Sequence, residues 1–285
     1  RLVGVSTVAG NVPDHVATAN TLSVLAWLGA EPVPVHRGAS RPLALPYYDA
    51  VQVHGGNGLG GAELGGSAAK EARTNGVQAI LDAAEAHDGL LVLAALGPLT
   101  NLAMALSIRP GLVDQVQKLT LMCGAFTIPG NVTQHAEYNA FADPDAASQV
   151  MGARWNELLV VGLDVTHQTI FARDQWDALE EDGSASAELV RRITERTFKE
   201  RGVDALYLHD PLAVAVALDD SLLRTEQQAV SVNTAGDDHR GKTTLAGNGA
   251  ARIALQVDAE RFERWCAELL DLPASGKREP RDRIE

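Results

Sequence analysis

Apolar runs of strand length alternate along the chain with stretches in which apolar residues recur at helical spacing. This alternation is typical of β-α-β units, in which helices cover both faces of a mostly parallel sheet. The strands predicted for this sheet are Leu2–Val8, Pro32–Val35, Leu90–Leu96, Lys118–Met122 and Leu158–Leu163. The helices predicted around it are Asp14–Leu28, Val77–Ala86, Asn101–Ser107, Pro144–Met151, Asp174–Glu181, Ala187–Arg201 and Pro211–Leu218.

The pattern changes after Leu222, where short apolar runs are separated by turns rich in Gly, Asp and Asn. Three strands are predicted there as a small antiparallel appendage: Ala229–Thr234, Lys242–Ala246 and Arg252–Val257. An amphipathic helix, Glu260–Leu270, follows. The predicted fold class is therefore α/β, an open and mostly parallel sheet with a Rossmann-like core and a small antiparallel C-terminal portion. Residues 1–273 are expected to form one domain, and residues 274–285 a frayed charged tail.

Composition and charge narrow the range of partners. The 285 residues are 46% hydrophobic and 21% charged, and the net charge is −13. Because nucleic acids and anionic membranes require a positive surface, this charge argues against both as partners and favours a neutral or cationic small molecule. The two cysteines lie far apart in the sequence and favour a reducing, cytoplasmic location. No apolar run approaches the roughly 18 to 20 residues that span a bilayer.

Polar and glycine-rich segments follow the predicted strands. Ala9–Asn11 follows the first strand, Gly97–Asn101 follows the Leu90 strand, and Cys123–Ala125 follows the Lys118 strand. Ligands of open parallel sheets bind in the crevice at the carboxyl ends of the strands. This edge of the sheet is therefore the predicted site.

Seven segments of the chain resemble the inosine-uridine nucleoside hydrolase family, in that family's order and at its approximate spacings. They are TVAGN ending at Asn11, VHGGNGLGG from Val53, GPLTNLA from Gly97, LMCGA from Leu121, GN at Gly130 with AEYN ending at Asn139, LDVTHQ from Leu163 and HDPLAVA from His209. The resemblance implies the fold of that family. It also implies hydrolysis of the N-glycosidic bond of ribonucleosides to ribose and free base, with a calcium-bound water molecule as the nucleophile.

The resemblance implies a Ca²⁺ ion as cofactor and assigns it two ligands. Asp210 matches a side-chain ligand, and Leu96 matches a position that binds through its main-chain carbonyl. A calcium site lined by oxygen atoms can hold vicinal hydroxyls together with a water molecule and lower the pKa of that water.

The remaining matched positions concern the substrate. His209 matches a catalytic histidine beside the leaving base, which gains from proton donation or hydrogen bonding. The positions that match substrate-binding residues are Asn11, Glu137 and Asn139 at the ribose hydroxyls, Asn131 at a second ribose-side position, His54 near the 5′ end of the sugar and Met122 at the floor of the sugar pocket. Carboxylate and amide oxygens around the ring favour the positive charge of an oxocarbenium-like state. Family members commonly form homodimers or homotetramers, so the same is expected here.

One hallmark of the family is absent from this sequence. In the family, the aspartate cluster DxDxxxDD supplies two carboxylate ligands of calcium and the general base. The acidic pairs that this sequence does contain, such as Asp219 with Asp220, are interpreted as helix caps or solvated turns and do not replace it. In the family this cluster precedes the segment that begins here at Arg1. We therefore expect preceding residues to be missing from the sequence. A chain that lacks them is expected to bind calcium poorly.

Two other functions compete with the hydrolase. A catalytically inactive homologue that only binds nucleoside or ribose would fit the missing aspartates. A Ser or Cys hydrolase is disfavoured, because no GxSxG segment is present and Cys123 has no evident base. Several motif residues also have structural interpretations. Asn101 is expected to cap a helix, Asp164, Thr166 and His167 to act structurally, and Glu137, outside the resemblance, to lie in a solvated loop.

Overall fold

The computed structural model describes residues 1–30, 32–179 and 183–269. The strands are β1 (Val5–Thr7), β2 (Val35–Arg37), β3 (Leu91–Ala95), β4 (Val116–Met122), β5 (Leu158–Val161), β6 (Ile170–Ala172), β7 (Ala205–Tyr207), β8 (Leu223–Gln228), β9 (Val230–Val232), β10 (Thr243–Leu245) and β11 (Ala251–Val257). The α-helices are α1 (Asp14–Trp27), α2 (Val51–His54), α3 (Gly76–His87), α4 (Thr100–Ile108), α5 (Leu112–Gln115), α6 (Tyr138–Ala142), α7 (Pro144–Gly152), α8 (Leu163–Thr166), α9 (Arg173–Ala178), α10 (Ala185–Glu195), α11 (His209–Leu218) and α12 (Ala259–Leu269). A π-helical turn, Arg196–Glu200, continues α10, and a 3-10 turn, Asp220–Leu222, follows α11.

The central sheet has the strand order β3-β4-β5-β11-β8. Its first four strands run parallel, and β8 pairs antiparallel with β11 at one edge. Successive residues of β5 enter two different cores. Leu158 and Val160 pack with α3, α4 and α7, whereas Leu159 and Val161 pack with α11 and α12. Helices therefore cover both faces of the sheet, as the sequence pattern predicts.

The C-terminal strands are arranged differently from the prediction. Among the three strands predicted as an appendage, only β9 and β10 form a separate antiparallel pair. The prediction is wrong for β11, which lies inside the central sheet between β5 and β8. Its neighbouring residues Ile253 and Ala254 are both fully buried, one on each face. Continuous burial of this kind marks an interior strand, whereas a short apolar run in the sequence cannot show which strand it pairs with.

The first two strands also stand apart from the central sheet. β1 and β2 form a parallel pair of their own, with Ser6 opposite His36. Asn101 connects this pair to α4, because its side-chain amide donates to the Thr7 carbonyl at 2.8 Å and its Oδ1 accepts from the Ala39 amide at 2.8 Å. Asn101 is therefore not the helix cap that the sequence suggested. The N-cap of α4 is Leu99.

The other predicted elements form, with ends that differ by a few residues. The predicted helix Asp174–Glu181 begins one residue earlier and is described to Ala178. Its predicted end at Glu181, the predicted helix end at Leu270 and the predicted tail 274–285 lie outside the described residues. No helix in the described part of the chain is long and apolar enough to cross a membrane.

Candidate active site

The carboxyl ends of β3 and β4 meet at the side chain of Asn139. Ala95 lies opposite Leu121 in the parallel register, so Leu96 and Met122 come next to each other at the edge of the sheet. The Asn139 amide group donates to the Met122 carbonyl at 2.8 Å and to the Leu96 carbonyl at 3.3 Å. Asn139 has two amide protons, and both point at the strand ends. Its Oδ1 has no hydrogen-bond partner among the described residues, so it is available to a ligand.

Glu137 is buried and shapes the segment that carries Asn139. Its side chain is 1% exposed. Its carboxylate caps α6 by accepting from the amides of Asn139 at 2.7 Å and Ala140 at 3.1 Å, and it also accepts from Gly124 at 2.9 Å. The interpretation of Glu137 as part of a solvated loop is therefore wrong. Burial raises the pKa of Glu137, and these backbone hydrogen bonds oppose the rise.

Asn131 lies in the loop before α6. Its Oδ1 accepts from the Tyr138 amide at 2.9 Å. Tyr138 in turn donates its phenol hydroxyl to the Tyr48 carbonyl at 2.9 Å, which joins this loop to the segment before α2. Asn131 is thus held by the same segment that holds Glu137 and Asn139.

Asp210 lies in the first turn of α11, which packs against β4 and β3. Water reaches its side chain, which has no hydrogen bond or ion pair with any residue that the structure describes. Desolvation, and secondarily the charge of Glu137, raise the pKa of Asp210 to about 7. Asp210 and Glu137 therefore lie close enough for their charges to interact.

His209 begins α11 and is surrounded by three side chains. Its Nδ1 is 2.7 Å from the hydroxyl oxygen of Thr166 at the end of α8. His167 and Tyr207 stack on each other with ring centroids 4.1 Å apart, and both rings are tilted against His209 at 5.6 and 5.8 Å. Burial, and secondarily the charge of His167, lower the pKa of His209 to about 4. The imidazole is therefore neutral at physiological pH.

The structure does not join His54 or Asn11 to this cluster by a hydrogen bond between described side chains. His54 ends the short helix α2, and its carbonyl accepts from Gly60 at 2.8 Å. Burial first, and then the charge of Arg201, lower the pKa of His54. Asn11 is exposed, and its carbonyl accepts from Ala50 at 3.1 Å in the segment before α2. Asn11, in the motif TVAGN, is therefore linked through Ala50 to the segment that leads into α2, and His54, in the motif VHGGNGLGG, lies at the end of that helix.

The family resemblance implies a metal ion, and the structure allows the donor set to be tested. Asp210 and the Leu96 carbonyl are hard oxygen donors, the kind that calcium prefers. A carboxylate without a hydrogen-bond partner is also suited to a cation. The number of donors is small, because no group of three or more His, Cys, Asp or Glu side chains capable of holding a metal occurs within the described residues. Asp210 and the Leu96 carbonyl thus match the oxygen donors that calcium prefers, but two donors are fewer than the roughly six to eight that it usually takes.

Cys123 is unsuited to nucleophilic catalysis. Its side chain is fully buried, and desolvation, with the nearby Glu137 charge, raises the pKa of the thiol well above its ordinary value. The thiolate form that would attack a substrate is therefore suppressed.

Three residues around His209 have contacts that the sequence interpretation did not anticipate. From the sequence, Thr166 and His167 are expected to act only structurally, and Tyr207 ends the segment Phe198–Tyr207, which is expected to line the outer pocket that selects the base. Asp164, in contrast, is structural as expected, since its carboxylate accepts from the amides of Phe126 at 2.8 Å and Thr127 at 2.7 Å. The signal that could have found Thr166 is its place in LDVTHQ, at the carboxyl end of β5.

The fold and the site together define a class of protein. A parallel sheet covered on both faces carries, at the carboxyl edge of its strands, amide and carboxylate oxygens beside a neutral histidine, which suits an enzyme acting on a sugar derivative. The comparison with known proteins identifies the family. Residues 1–264 match the model of the inosine-uridine preferring nucleoside hydrolase family, so the chain belongs to that family.

Individual relatives agree with the family match. The chain is 33% identical over 273 residues to the non-specific ribonucleoside hydrolase RihC of Klebsiella pneumoniae, with 94% of this chain and 88% of the relative covered. It is 31% identical over 281 residues to the inosine-uridine preferring nucleoside hydrolase of Leishmania major, covering 93% and 87%. The solved plant nucleoside hydrolase PpNRh1 superposes with a TM-score of 0.89 at 30% identity, covering 96% and 91%.

These relatives decide between the functions that the sequence left open. These matches span most of the chain, and the matched proteins are named as nucleoside hydrolases. A further example is the solved purine-preferring ribonucleoside hydrolase from Gardnerella vaginalis, which superposes with a TM-score of 0.85 at 30% identity, covering 92% of this chain and 87% of that one. The protein is therefore a hydrolase of this family. The inactive binding homologue is not favoured.

Proposed function

We propose that the protein hydrolyses the N-glycosidic bond of purine and pyrimidine ribonucleosides, releasing ribose and the free base, with Ca²⁺ as its metal. The observation that supports this most strongly is that Asn139 donates to the carbonyls of Leu96 and Met122 at the ends of two neighbouring strands. Glu137, which caps the helix of Asn139, is also near enough to Asp210 for their charges to interact. Its family relatives carry names that differ in the preferred base. The proposal is therefore made for ribonucleosides as a class.

Asp210 and the Leu96 carbonyl would hold the cation. Calcium, when bound, supplies positive charge that holds neighbouring sugar hydroxyls and acidifies water. Without a cation, desolvation and the charge of Glu137 raise the pKa of Asp210 to about 7 and so favour its protonated form. A cation favours the ionised form, so binding would release protons.

The sugar would lie against the Asn139 side chain. Because both Asn139 amide protons go to the strand ends, Oδ1 faces the ligand as a hydrogen-bond acceptor for a ribose hydroxyl. Met122 would form the floor below it, with Glu137, Asn131 and Asn11 at the ribose hydroxyls. His54 would lie near the 5′ end. The acceptor oxygens would favour the oxocarbenium-like transition state.

His209 would act on the departing base. Its imidazole is neutral, so it can donate one hydrogen bond to a base nitrogen that gains electron density as the bond to C1′ breaks. The stacked pair of His167 and Tyr207 packs beside that ring.

We also infer a cytoplasmic homodimer or homotetramer. Both cysteines are free thiols, which suits a reducing compartment. The oligomeric state follows from the family resemblance. Sedimentation velocity on the purified protein would test it, and a monomer at micromolar concentration would contradict it.

Asn139→Ala tests the proposed site against a matched control. Asn156 also donates to two backbone carbonyls, those of Asp114 at 3.0 Å and Val116 at 3.1 Å, but it lies at the amino end of β4 and β5. Base release from inosine, uridine, adenosine and cytidine would be followed by chromatography. We expect Asn139→Ala to abolish release and Asn156→Ala to retain it. Equal losses in both variants would contradict the placement of the site.

A further inference from the structure

A buried hydroxyl group contacts the ring of His209. Thr166 Oγ1 lies 2.7 Å from His209 Nδ1, and the Thr166 side chain is fully buried. In the part of the chain that the structure describes, Nδ1 is the only hydrogen-bond partner of this hydroxyl. The contact joins Thr166 in the motif LDVTHQ to His209 in the motif HDPLAVA, 43 residues further along the chain.

The direction of this hydrogen bond depends on which nitrogen of His209 carries the proton. A buried hydroxyl without an acceptor loses the energy of its hydrogen bond, and Nδ1 is the acceptor within reach. A neutral imidazole carries one proton, so a ring that accepts at Nδ1 carries that proton at Nε2. Nε2 has no hydrogen-bond partner of its own among the described residues, so its proton is available to a ligand.

The ring of His209 is also held in orientation. His167 and Tyr207 stack with an interplanar angle of 12°, and the His209 ring lies at 51° and 48° to them. Rotation of the imidazole by half a turn would leave the plane of the ring nearly unchanged but would put a carbon atom in place of Nδ1 beside Thr166. The hydrogen bond and the stacked pair therefore favour one ring orientation.

We propose that Thr166 is a positioning residue that holds His209 in its Nε2–H tautomer, so that Nε2 donates a hydrogen bond to the departing base. The proposal rests on the proposed function, which places His209 at the leaving group. As the C1′–N bond breaks, its electron pair passes to the base nitrogen, which His209 stabilises while keeping its own proton. The water oxygen bonds to C1′ and loses a proton, and the base gains one from solvent.

Two substrates separate this role from a merely structural one. Uridine has a poor leaving group, whereas 4-nitrophenyl riboside releases a nitrophenolate that needs no help from His209. We expect Thr166→Val to lower kcat for uridine by about 10- to 100-fold and kcat for 4-nitrophenyl riboside by less than about threefold. Thr166→Ser keeps the hydroxyl and is expected to restore the uridine rate. Thr169→Val is the matched control, because Thr169 is equally buried and its hydroxyl donates to the Thr166 carbonyl at 3.1 Å, away from His209.

The outcomes that overturn the proposal are distinct. Equal losses of Thr166→Val on both substrates would show a structural role, and an unchanged uridine rate would show no role. If His209→Ala loses the uridine activity while Thr166→Val keeps it, the positioning role alone fails. If His209→Ala keeps the wild-type rate, the assignment of His209 in the proposed function fails as well, and Thr166 has nothing to position.

A spectroscopic measurement tests the tautomer without any activity. The protein has eight histidines, and ¹⁵N labelling of histidine gives two nitrogen shifts for each ring. His209 is assigned as the ring that disappears in His209→Ala. We expect a protonated Nε2 and an unprotonated Nδ1 in the wild type, and a mixture of tautomers in Thr166→Val. A wild-type ring protonated at Nδ1 would overturn the proposal.

Discussion

Ionisation of Asp210 destabilises the folded protein in the absence of a cation, and Asp210→Asn removes that effect. The pKa of Asp210 is raised from its ordinary 3.8 to about 7 by desolvation and by Glu137. Between these two values the folded state holds a proton that the unfolded state releases. The free energy of unfolding therefore falls as the pH rises from about 4 to 7, and the loss persists above pH 7.

The size of this effect follows from the raised pKa and from the exposure of the side chain. At about 1.4 kcal/mol per pKa unit, the difference between 3.8 and about 7 corresponds to a ceiling of about 4 kcal/mol. Water reaches the Asp210 side chain and screens its charge, so we expect about 1 to 2 kcal/mol. Asp210→Asn should accordingly match the wild type at pH 4 and exceed its free energy of unfolding by that amount at pH 8.

Urea unfolding at pH 4 and pH 8 in the presence of EDTA measures the effect. Asp219, just after the other end of α11, is the control, because its pKa is lowered, first by Ser221 and then by Arg261. Asp219→Asn is expected to change stability in the opposite direction at pH 8. Added Ca²⁺ should stabilise the wild type and leave Asp210→Asn unaffected. An Asp210→Asn variant that is no more stable than the wild type at pH 8 would refute this reasoning.

Three further changes have defined outcomes. Thr120 is fully buried and its hydroxyl has no hydrogen-bond partner in the described structure, so Thr120→Val should raise the free energy of unfolding by about 1 kcal/mol in urea titrations. Asp143 is buried, and its carboxylate accepts hydrogen bonds from Thr100 at 2.6 Å, Leu43 at 3.0 Å and Ala146 at 3.1 Å. Asp143→Ala should therefore lower the free energy of unfolding by about 3 kcal/mol, whereas the control Asp145→Ala should lower it by less than about 0.5 kcal/mol. If His54 contacts the 5′ hydroxyl, His54→Ala should raise KM for uridine about tenfold and leave KM for 5′-deoxyuridine unchanged, and equal KM changes would contradict that contact.

The sequence predicts the alternation of strands and helices well, because buried parallel strands such as β4 and β5 are continuous apolar runs. It does not predict which strands are neighbours. The sequence pattern assigns β11 to the C-terminal appendage, whereas the structure has it beside β5. This pairing joins residues almost a hundred positions apart, so a local pattern cannot reveal it. β8 was missed, because its residues LRTEQQ are polar and alternate in exposure, as suits an edge strand.

The candidate site shows the same limit. Asp210 and Asn139 are recognisable because they lie in motifs of the family, and the structure brings Asn139 against Leu96 and Met122. The capping role of Glu137 could not be read from AEYN, because it depends on Gly124 in another loop. The contact between Thr166 and His209 depends in the same way on how two helix ends meet.

We propose that the carboxyl edge of the sheet, at Asp210, is a calcium-dependent ribonucleoside hydrolase site. The most direct measurement is the rate of base release from uridine by EDTA-treated protein as Ca²⁺ is restored, compared in the wild type, Asp210→Ala and Asp219→Ala. We predict that release returns with Ca²⁺ in the wild type and in Asp219→Ala, and that it stays absent in Asp210→Ala. Release that is independent of Ca²⁺, or unchanged in Asp210→Ala, would contradict the account.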